Sequence, residues 1–374
     1  MVLLIGNYTP DQQQSMQRFS TMMLQGLTAA GISAELIQPE PFFGSMRGFG
    51  SFTKWLAYID KFLLFPGRLR ARMAQGVSLI HITDHSNAIY AARCQPVPVV
   101  VTCHDLLAVR GALGEETDCP ASAAGVFLQR WILRGLRRAR HVACVSRATL
   151  ADARRLLDGS GTKPEMSVIT LDLNYPYRQI SPQETTARLR TVAGWDPETP
   201  YILHVGSNLK RKNRAGVLRI FARTHQKWSG QLILAGDPLT PDLQSLGENL
   251  GISARIIEVV QPESPLLEAL YNRATALLYP SRFEGFGWPI AEAQACGCPV
   301  ICGASAPLPE VAGEAGLIHP LDDEESFAAD ILRLLDEEER AHWSAKSLRN
   351  AERFSAAGMI AKYVEIYRRL APQL

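Results

Sequence analysis

Two facing α/β domains, each a doubly wound parallel sheet with a ligand cleft between them, are predicted from three observations. Short apolar runs alternate with amphipathic segments from the start of the chain, a polar, proline-containing stretch interrupts the alternation at 174–196, and the alternation then restarts. Strands separated by helices give parallel sheets covered on both faces. A chain of 374 residues also exceeds what one core ordinarily takes. In such sheets ligands sit beyond the carboxyl ends of the strands.

In the first half, the runs at 2–5, 34–37, 79–82, 97–102, 141–145 and 166–170 read as strands, with helical patterns at 15–30 and 125–138. In the second half, strands are expected at 201–205, 231–235, 254–259, 276–279, 299–302 and 316–319. The closing segment 355–370 sets Met359, Ile360, Tyr363, Val364, Tyr367 and Leu370 on one helical stripe. The expected boundaries are a first domain at 1–175, a connection at 176–196, a second domain at 197–354 and a final helix at 355–374 that crosses back to the first domain.

Composition excludes several function classes. Hydrophobic residues make up 47% and charged residues 20%, ordinary for a soluble globular chain. A net charge of +2 gives no bulk attraction for nucleic acid, which is not expected as a partner. No apolar run approaches the ~20 residues that span a bilayer. The apolar start, Val2-Leu-Leu-Ile5, lacks a basic lead-in and a cleavage site, so it reads as a buried strand and not as a signal peptide. None of the seven cysteines forms a CxxC pair, and the cluster Cys296-x-Cys298-x3-Cys302 has no second pair at zinc spacing. Buried thiols in a reducing cytoplasm fit this usage.

The segment 279–301, YPSRFEGFGWPIAEAQACGCPVI, carries the chemistry. It reads strand, loop, helix, turn, strand. Gly285 and Gly287 make a loop whose backbone can approach a ligand closely. Pro289 suits the first helical position and Gly297 the turn past the helix end. The helix therefore starts beside the loop, where its N–H groups can face an anion. Glu284 is expected in the loop and Glu292 in the first helical turn. An anion site beside two hydroxyl-accepting carboxylates suits a nucleotide sugar.

The string EGFGWPIAEAQACGCPV resembles the Glu-x7-Glu motif of family-four retaining glycosyltransferases, written around EGFGxPxxEAxAxGxPV, with two Glu, three Gly and two Pro at matching offsets. The resemblance implies the GT-B fold of two facing Rossmann-like domains, the first binding acceptor and the second donor. It also implies that Glu284 contacts the donor sugar hydroxyls and acts in catalysis, and that Glu292 contacts the ribose. The backbone of Gly285, Phe286 and Gly287 meets the sugar and diphosphate.

A second segment, His204-Val-Gly-Ser-Asn-Leu-Lys-Arg-Lys-Asn213, follows a strand and crowds three cations at its end. It is not a P-loop, because no Gly directly precedes the Lys and no Ser or Thr follows it. It resembles the family's phosphate-binding segment, a Gly shortly before Arg-Lys-Asn. By that match Lys212 neutralises the donor diphosphate with Arg211 assisting, near Gly206 and Ser207. Ser207 stands where the family often carries Arg. In the first half, Thr102-Cys-His-Asp105 resembles the family's Thr-x-His-Asp segment, which implies that His104 reaches the donor across the cleft and that Asp105 lies beside it. His81-Ile-Thr-Asp-His85 resembles a Val-His-x-x-Asp stretch, and Ser146 reads as a helix cap. The first βα loop carries Gln14-Ser15 where the family has Gly-Gly, leaving Asn7 and Ser15 as cleft contacts.

The resemblance implies a front-face, retaining hexosyl transfer from a nucleotide-diphosphate sugar to a glycan or lipid-linked acceptor, in polysaccharide or cell-envelope glycan synthesis. No cofactor or metal is expected: no DxD motif sits at a strand end, and the cations supply positive charge. GDP and UDP donors share the motif. The rival readings are a sugar-nucleotide-binding partner protein without turnover and a GT-B sugar-nucleotide epimerase. The expected location is cytoplasmic, with peripheral contact at the inner face of a membrane through the aromatic, basic-ended stretch 42–70 or the basic amphipathic helix 125–140.

Overall fold

The computed structural model describes residues 1–11, 13–43, 53–158, 163–224 and 226–374; of residues 53–55 only the backbone is considered. The chain forms two compact units, Met1–Asn174 with Ser355–Leu374, and Tyr175–Phe354.

The first unit is built on β1 (Val2–Ile5), β2 (Ala34–Ile37), β3 (Leu79–Ile82), β4 (Val99–Cys103), β5 (His141–Cys144) and β6 (Glu165–Val168), all paired in parallel in the order β2-β1-β3-β4-β5-β6. All four residues of β1 are buried, because helices cover both faces; hence its unbroken apolar run. The second unit contains β7 (Tyr201–Gly206), β8 (Gln231–Gly236), β9 (Ile256–Val260), β10 (Ala276–Tyr279), β11 (Val300–Gly303) and β12 (Gly316–His319), again all parallel, in the order β12-β11-β10-β7-β8-β9. Its edge strand β9 alternates buried and exposed residues, as a strand covered on one face does.

The expected strand ends shift for physical reasons. Pro98 and Pro299 have no N–H to give a ladder, so β4 and β11 start at the residue after each proline, Val99 and Val300, while both proline carbonyls still accept, from Ile80 N and Leu277 N. The strand expected from 254 waits for a 3-10 turn at Ser253–Arg255. The stretch expected as a connection at 176–196 is instead a folded part of the second unit. It holds the helix Pro182–Leu189, capped by Ser181, and the buried Glu268 carboxylate anchors it by accepting from Arg188 NH1 (2.7 Å) and Arg178 N (3.1 Å).

The helix Ala356–Leu370 belongs to the first unit. Met359, Ile360, Tyr363, Val364, Ile366 and Tyr367 are its buried face. Gly26 lets it close in, since a Cβ there would lie 2.5 Å from Ile360 Cγ1. Its tyrosines keep their hydroxyls satisfied under the sheet: Tyr363 OH lies 2.7 Å from Thr102 Oγ1 and Tyr367 OH 2.6 Å from His81 Nδ1, with His81 Nε2 2.8 Å from Thr102 Oγ1.

Candidate active site

The strand order of the second unit puts β7 beside β10 although β8 and β9 lie between them in sequence. This is the point where the winding reverses and a crevice opens at the carboxyl ends of the strands. Two loops meet there. After β7 the chain makes a 3-10 turn, Lys210–Lys212, passes through Asn213 in the left-handed region (φ 55°), and enters the helix Arg214–Arg223. After β10 it runs through 280–287 into the helix Trp288–Ala295. The loops are tied together: Arg282 N donates to Arg211 O (2.7 Å) and Asn213 Nδ2 to Pro280 O (3.1 Å).

This brings Glu284, Lys212 and Arg211 into one half-buried cluster. Glu284 Oε1 accepts from Lys212 Nζ (2.6 Å) and Tyr279 OH (2.7 Å), and Oε2 accepts from Arg211 NH1 (3.1 Å), which also donates to Phe283 O. Lys212 Nζ lies 2.8 Å from Tyr279 OH and over its ring. Burial alone would raise the Glu284 carboxyl, but the Lys212 and Arg211 charges outweigh it and hold it below the usual carboxylate range. Burial pulls the Lys212 ammonium below its usual value, with Glu284 opposing. Two cations thus face the Glu284 carboxylate at the switch point, and the Glu292 carboxylate also acts on Lys212.

Beneath the cluster, Gly206 ends β7 and a Cβ there would lie 3.6 Å from the Lys212 stem; Ser207 follows, half-buried. Gly287, at φ 102°, caps the helix, and a Cβ on it would meet Leu308 at 2.9 Å. Phe286 is buried edge-on against Phe354. The helix begins at Trp288, so Pro289 is its second residue and Glu292 stands in its second turn, not its first. Glu292 is 4% exposed and accepts from Tyr271 OH at 2.8 Å.

In the first unit the winding reverses between β1 and β3. Asn7, just past β1, donates through Nδ2 to Asp84 Oδ2 (2.6 Å) and to Gln13, and accepts from Asn87 Nδ2 (3.0 Å). Asp84 also accepts from Ser86 N and Ser86 Oγ and lies 3.1 Å from His85 Nδ1. Burial would raise the Asp84 carboxyl; His85 overrides it and holds it well below the usual range. His85 is raised in turn, burial notwithstanding, by Asp84. His104 packs edge-on against Phe19 and donates from Nε2 to Thr83 O (2.9 Å); burial lowers its pKa, so the ring is neutral. Asp105 accepts from Leu107 N and caps the turn beyond β4. Ser15 is exposed on the first turn of the helix Gln14–Ala29, outside the Asn7 cluster. Ser146 is a helix cap, accepting from Thr149 N. His81 is a core residue bound to Thr102 and Tyr367, and burial lowers its pKa to about 3.

Several residues of these sites escape sequence reasoning. Tyr279 and Tyr271 read as strand and helix core, yet their hydroxyls hold the two glutamates. Arg214, fourth in the basic run, turns inward and binds Gly206 O, Asp237 O and Asn208 Oδ1, fixing the loops after β7 and β8. His204 donates from Nδ1 to Leu278 O, and burial lowers its pKa to about 3. Asn87 carries no motif at all. The thiols of Cys298 and Cys302 are buried and pushed up to about 12. Among the described residues, no group of three or more His, Cys, Asp or Glu could hold a metal ion, and no helix is long and apolar enough to cross a membrane.

Comparison with known proteins agrees with both halves of the chain. Residues 186–350 match the family model for glycosyl transferases group 1, and residues 16–165 that for glycosyltransferase family 4. The O-antigen chain mannosyltransferase B of Escherichia coli is 34% identical over 223 residues, 53% of this chain and 56% of that protein's own length. Among solved structures, sucrose-phosphate synthase from Thermosynechococcus elongatus superposes with a TM-score of 0.75 at 20% identity, over 99% of this chain and 98% of that one. HepE of Anabaena, in complex with UDP-glucose, gives 0.72 at 15% identity, over 98% and 99%. With one model in each unit and the two sheets matching throughout, the chain belongs to the family-four glycosyltransferases of the GT-B fold.

Proposed function

We propose that this protein transfers a hexose from a nucleotide-diphosphate sugar to a glycan or lipid-linked acceptor, with retention at the anomeric carbon and without a metal, in polysaccharide or cell-envelope glycan synthesis. The observation that carries the proposal is the Glu284 carboxylate held between Lys212 and Arg211 at the switch point of the second unit. A diphosphate is a stronger anion than one carboxylate, so Lys212 Nζ moves from Glu284 to the phosphates as the donor binds. Glu284 is thereby released to accept hydrogen bonds from the sugar hydroxyls. Glu292, oriented by Tyr271, accepts from the ribose hydroxyls, and the backbone of Gly285, Phe286 and Gly287 lines the sugar and diphosphate. The second unit thus binds the donor, and the first, with Asn7, His104 and Asp105, serves the acceptor and the transferred sugar. The bond from the anomeric carbon to the diphosphate oxygen breaks, the bond to the acceptor oxygen forms on the same face, and the acceptor proton leaves on the diphosphate. Lys212, Arg211 and the N-terminus of the helix at 288 stabilise the charge that develops on the leaving group.

The test is kinetic. Glu284→Gln should lower kcat strongly with the fold intact, while Glu292→Gln should chiefly raise KM for the donor. NMR of the product should show the anomeric configuration of the donor. Activity should persist in EDTA; loss to the chelator with rescue by Mg²⁺ or Mn²⁺ overturns the metal-free reading. Donor binding with neither transfer nor hydrolysis identifies a binding protein instead.

A further inference from the structure

The first unit carries an exposed apolar and basic surface that its core does not need. Phe127 is 66% exposed and Leu63 71% exposed, large apolar side chains that a monomer's surface seldom leaves in water together. They stand on two neighbouring helical segments joined by a ladder of rings. Tyr58 stacks on Phe62 at 5.4 Å, and Phe62 meets Trp131 at 5.3 Å, one turn beyond Phe127. The charges of these segments have one sign. Residues 61–74 hold four Lys or Arg, residues 123–140 hold five, and neither stretch has an Asp or Glu. In the first stretch Lys61, Arg68 and Arg72 are tied to Asp11, Glu40 and Glu35. In the second, Arg137 turns in to donate to Leu156 O, Arg130 and Arg134 are exposed one and two helical turns beyond Phe127, and Arg138 is exposed in the turn after the helix. Of the aromatic stretch 42–70, residues 44–52 lie outside the described residues.

We infer that this face docks on an anionic lipid surface, with Phe127 and Leu63 entering the headgroup boundary and Arg130, Arg134 and Arg138 pairing with lipid phosphates. Exposed apolar side chains within a single-sign basic field fit a bilayer, which offers both an apolar layer and negative charge. A nucleic acid or a soluble polyanion would use the arginines and leave Phe127 and Leu63 in water. The inference rests on the proposed function for its purpose, because a lipid-linked acceptor is met at such a surface.

The experiment is co-sedimentation of the whole chain with vesicles of phosphatidylcholine alone, or with about one third phosphatidylglycerol, at low and high salt. Binding is expected only to the anionic vesicles and should weaken with salt. Arg130→Glu with Arg134→Glu should lower partitioning at least about tenfold. Phe127→Ser with Leu63→Ser should lower it several-fold without changing the salt dependence. Both double variants should keep the wild-type melting temperature and its stabilisation by nucleoside diphosphates, which separates this test from that of the donor site. Equal binding to neutral vesicles, no binding at low salt, or binding that survives either double variant overturns the inference. So does tight binding to heparin that the Phe127→Ser, Leu63→Ser protein retains in full.

Discussion

At the switch point of the first unit stand Asn7, Asp84 and Asn87, and at that of the second stand Lys212, Tyr279 and Glu284. The two crevices have the same origin, in strands from opposite windings that lie side by side, yet they are filled differently. In the first, each Asp84 oxygen is held by near neighbours: Ser86 and His85 on one, Asn7 and Ser86 on the other. Its charge is consumed in capping the turn after β3. In the second, the Glu284 carboxylate faces two cations, which a stronger anion would draw away from it. The same topology can thus lock a loop or leave a charge to be used, and the choice rests on a few side chains past the strand ends.

The largest effect should come from removing one of those cations. Lys212→Ala is expected to cost on the order of a hundredfold in turnover, about 3 kcal/mol in the transition state, and to weaken binding of the nucleoside diphosphate more than of the nucleoside. Calorimetry with both ligands checks the second point. If Asp84→Asn produced the larger loss of diphosphate affinity, the contrast between the units would be reversed.

Acid should next separate the units. His81, with a pKa of about 3, and His104 are held neutral by burial in the first unit, and His141 is lowered too; the second has His204 at about 3. Such groups bind protons in the unfolded chain below about pH 6.5 but not in the folded one. Stability is therefore lost as pH falls from there toward 3. His85 has the opposite sign: its contribution is full below about 6.5 and is lost as pH rises through its raised folded value. With three depressed histidines against one, peptides from β3 and β4 should lose amide protection at a higher pH than those from β7 and β10. Equal loss in both would refute this.

Two glycines of the second unit sharpen the contrast between scaffold and charge. Gly287→Ala is expected to destabilise by about 2 kcal/mol, because alanine is strained at φ 102° and its Cβ meets Leu308. Gly206→Ala meets only ordinary contacts at 3.4–3.6 Å and should leave the melting temperature nearly unchanged. Between these two falls Tyr367→Phe, which removes one buried hydrogen bond to His81. It should cost about 1 kcal/mol, visible as faster exchange in β3 and not in β10.

The difference between the units also governs how far sequence could see. The parallel sheets were legible because strands buried on both faces must be continuous apolar runs, and Val2–Ile5 or Ala276–Tyr279 can hardly be read otherwise. The strand orders were not, since they depend on which crossover folds to which side. Glu284 and Lys212 were legible because a glycine loop and a cation run each mark a βα turn. Their mutual contact and the part of Tyr279 were hidden, as a buried tyrosine in a strand looks like core. Asn7 was read as a cleft contact from its place in the first βα loop, but its partners Asp84 and Asn87 were hidden, since they join it from 77 and 80 residues away. The segment after 174 looked like a linker because the buried carboxylate that anchors it, Glu268, comes some ninety residues later.

Placement of the final helix within the first unit has a consequence for the order of synthesis. Tyr363 and Tyr367, which close the underside of β3 and β4, leave the ribosome only after the whole of Tyr175–Phe354 has been made. The second unit has its complete core while it is still tethered, whereas the first, although begun earlier, waits for its last fifteen-residue helix with His81 and Thr102 unpartnered on that side. The nascent chain thus finishes its older half last, and a premature stop anywhere in 355–370 would spare the younger half and leave the older one open.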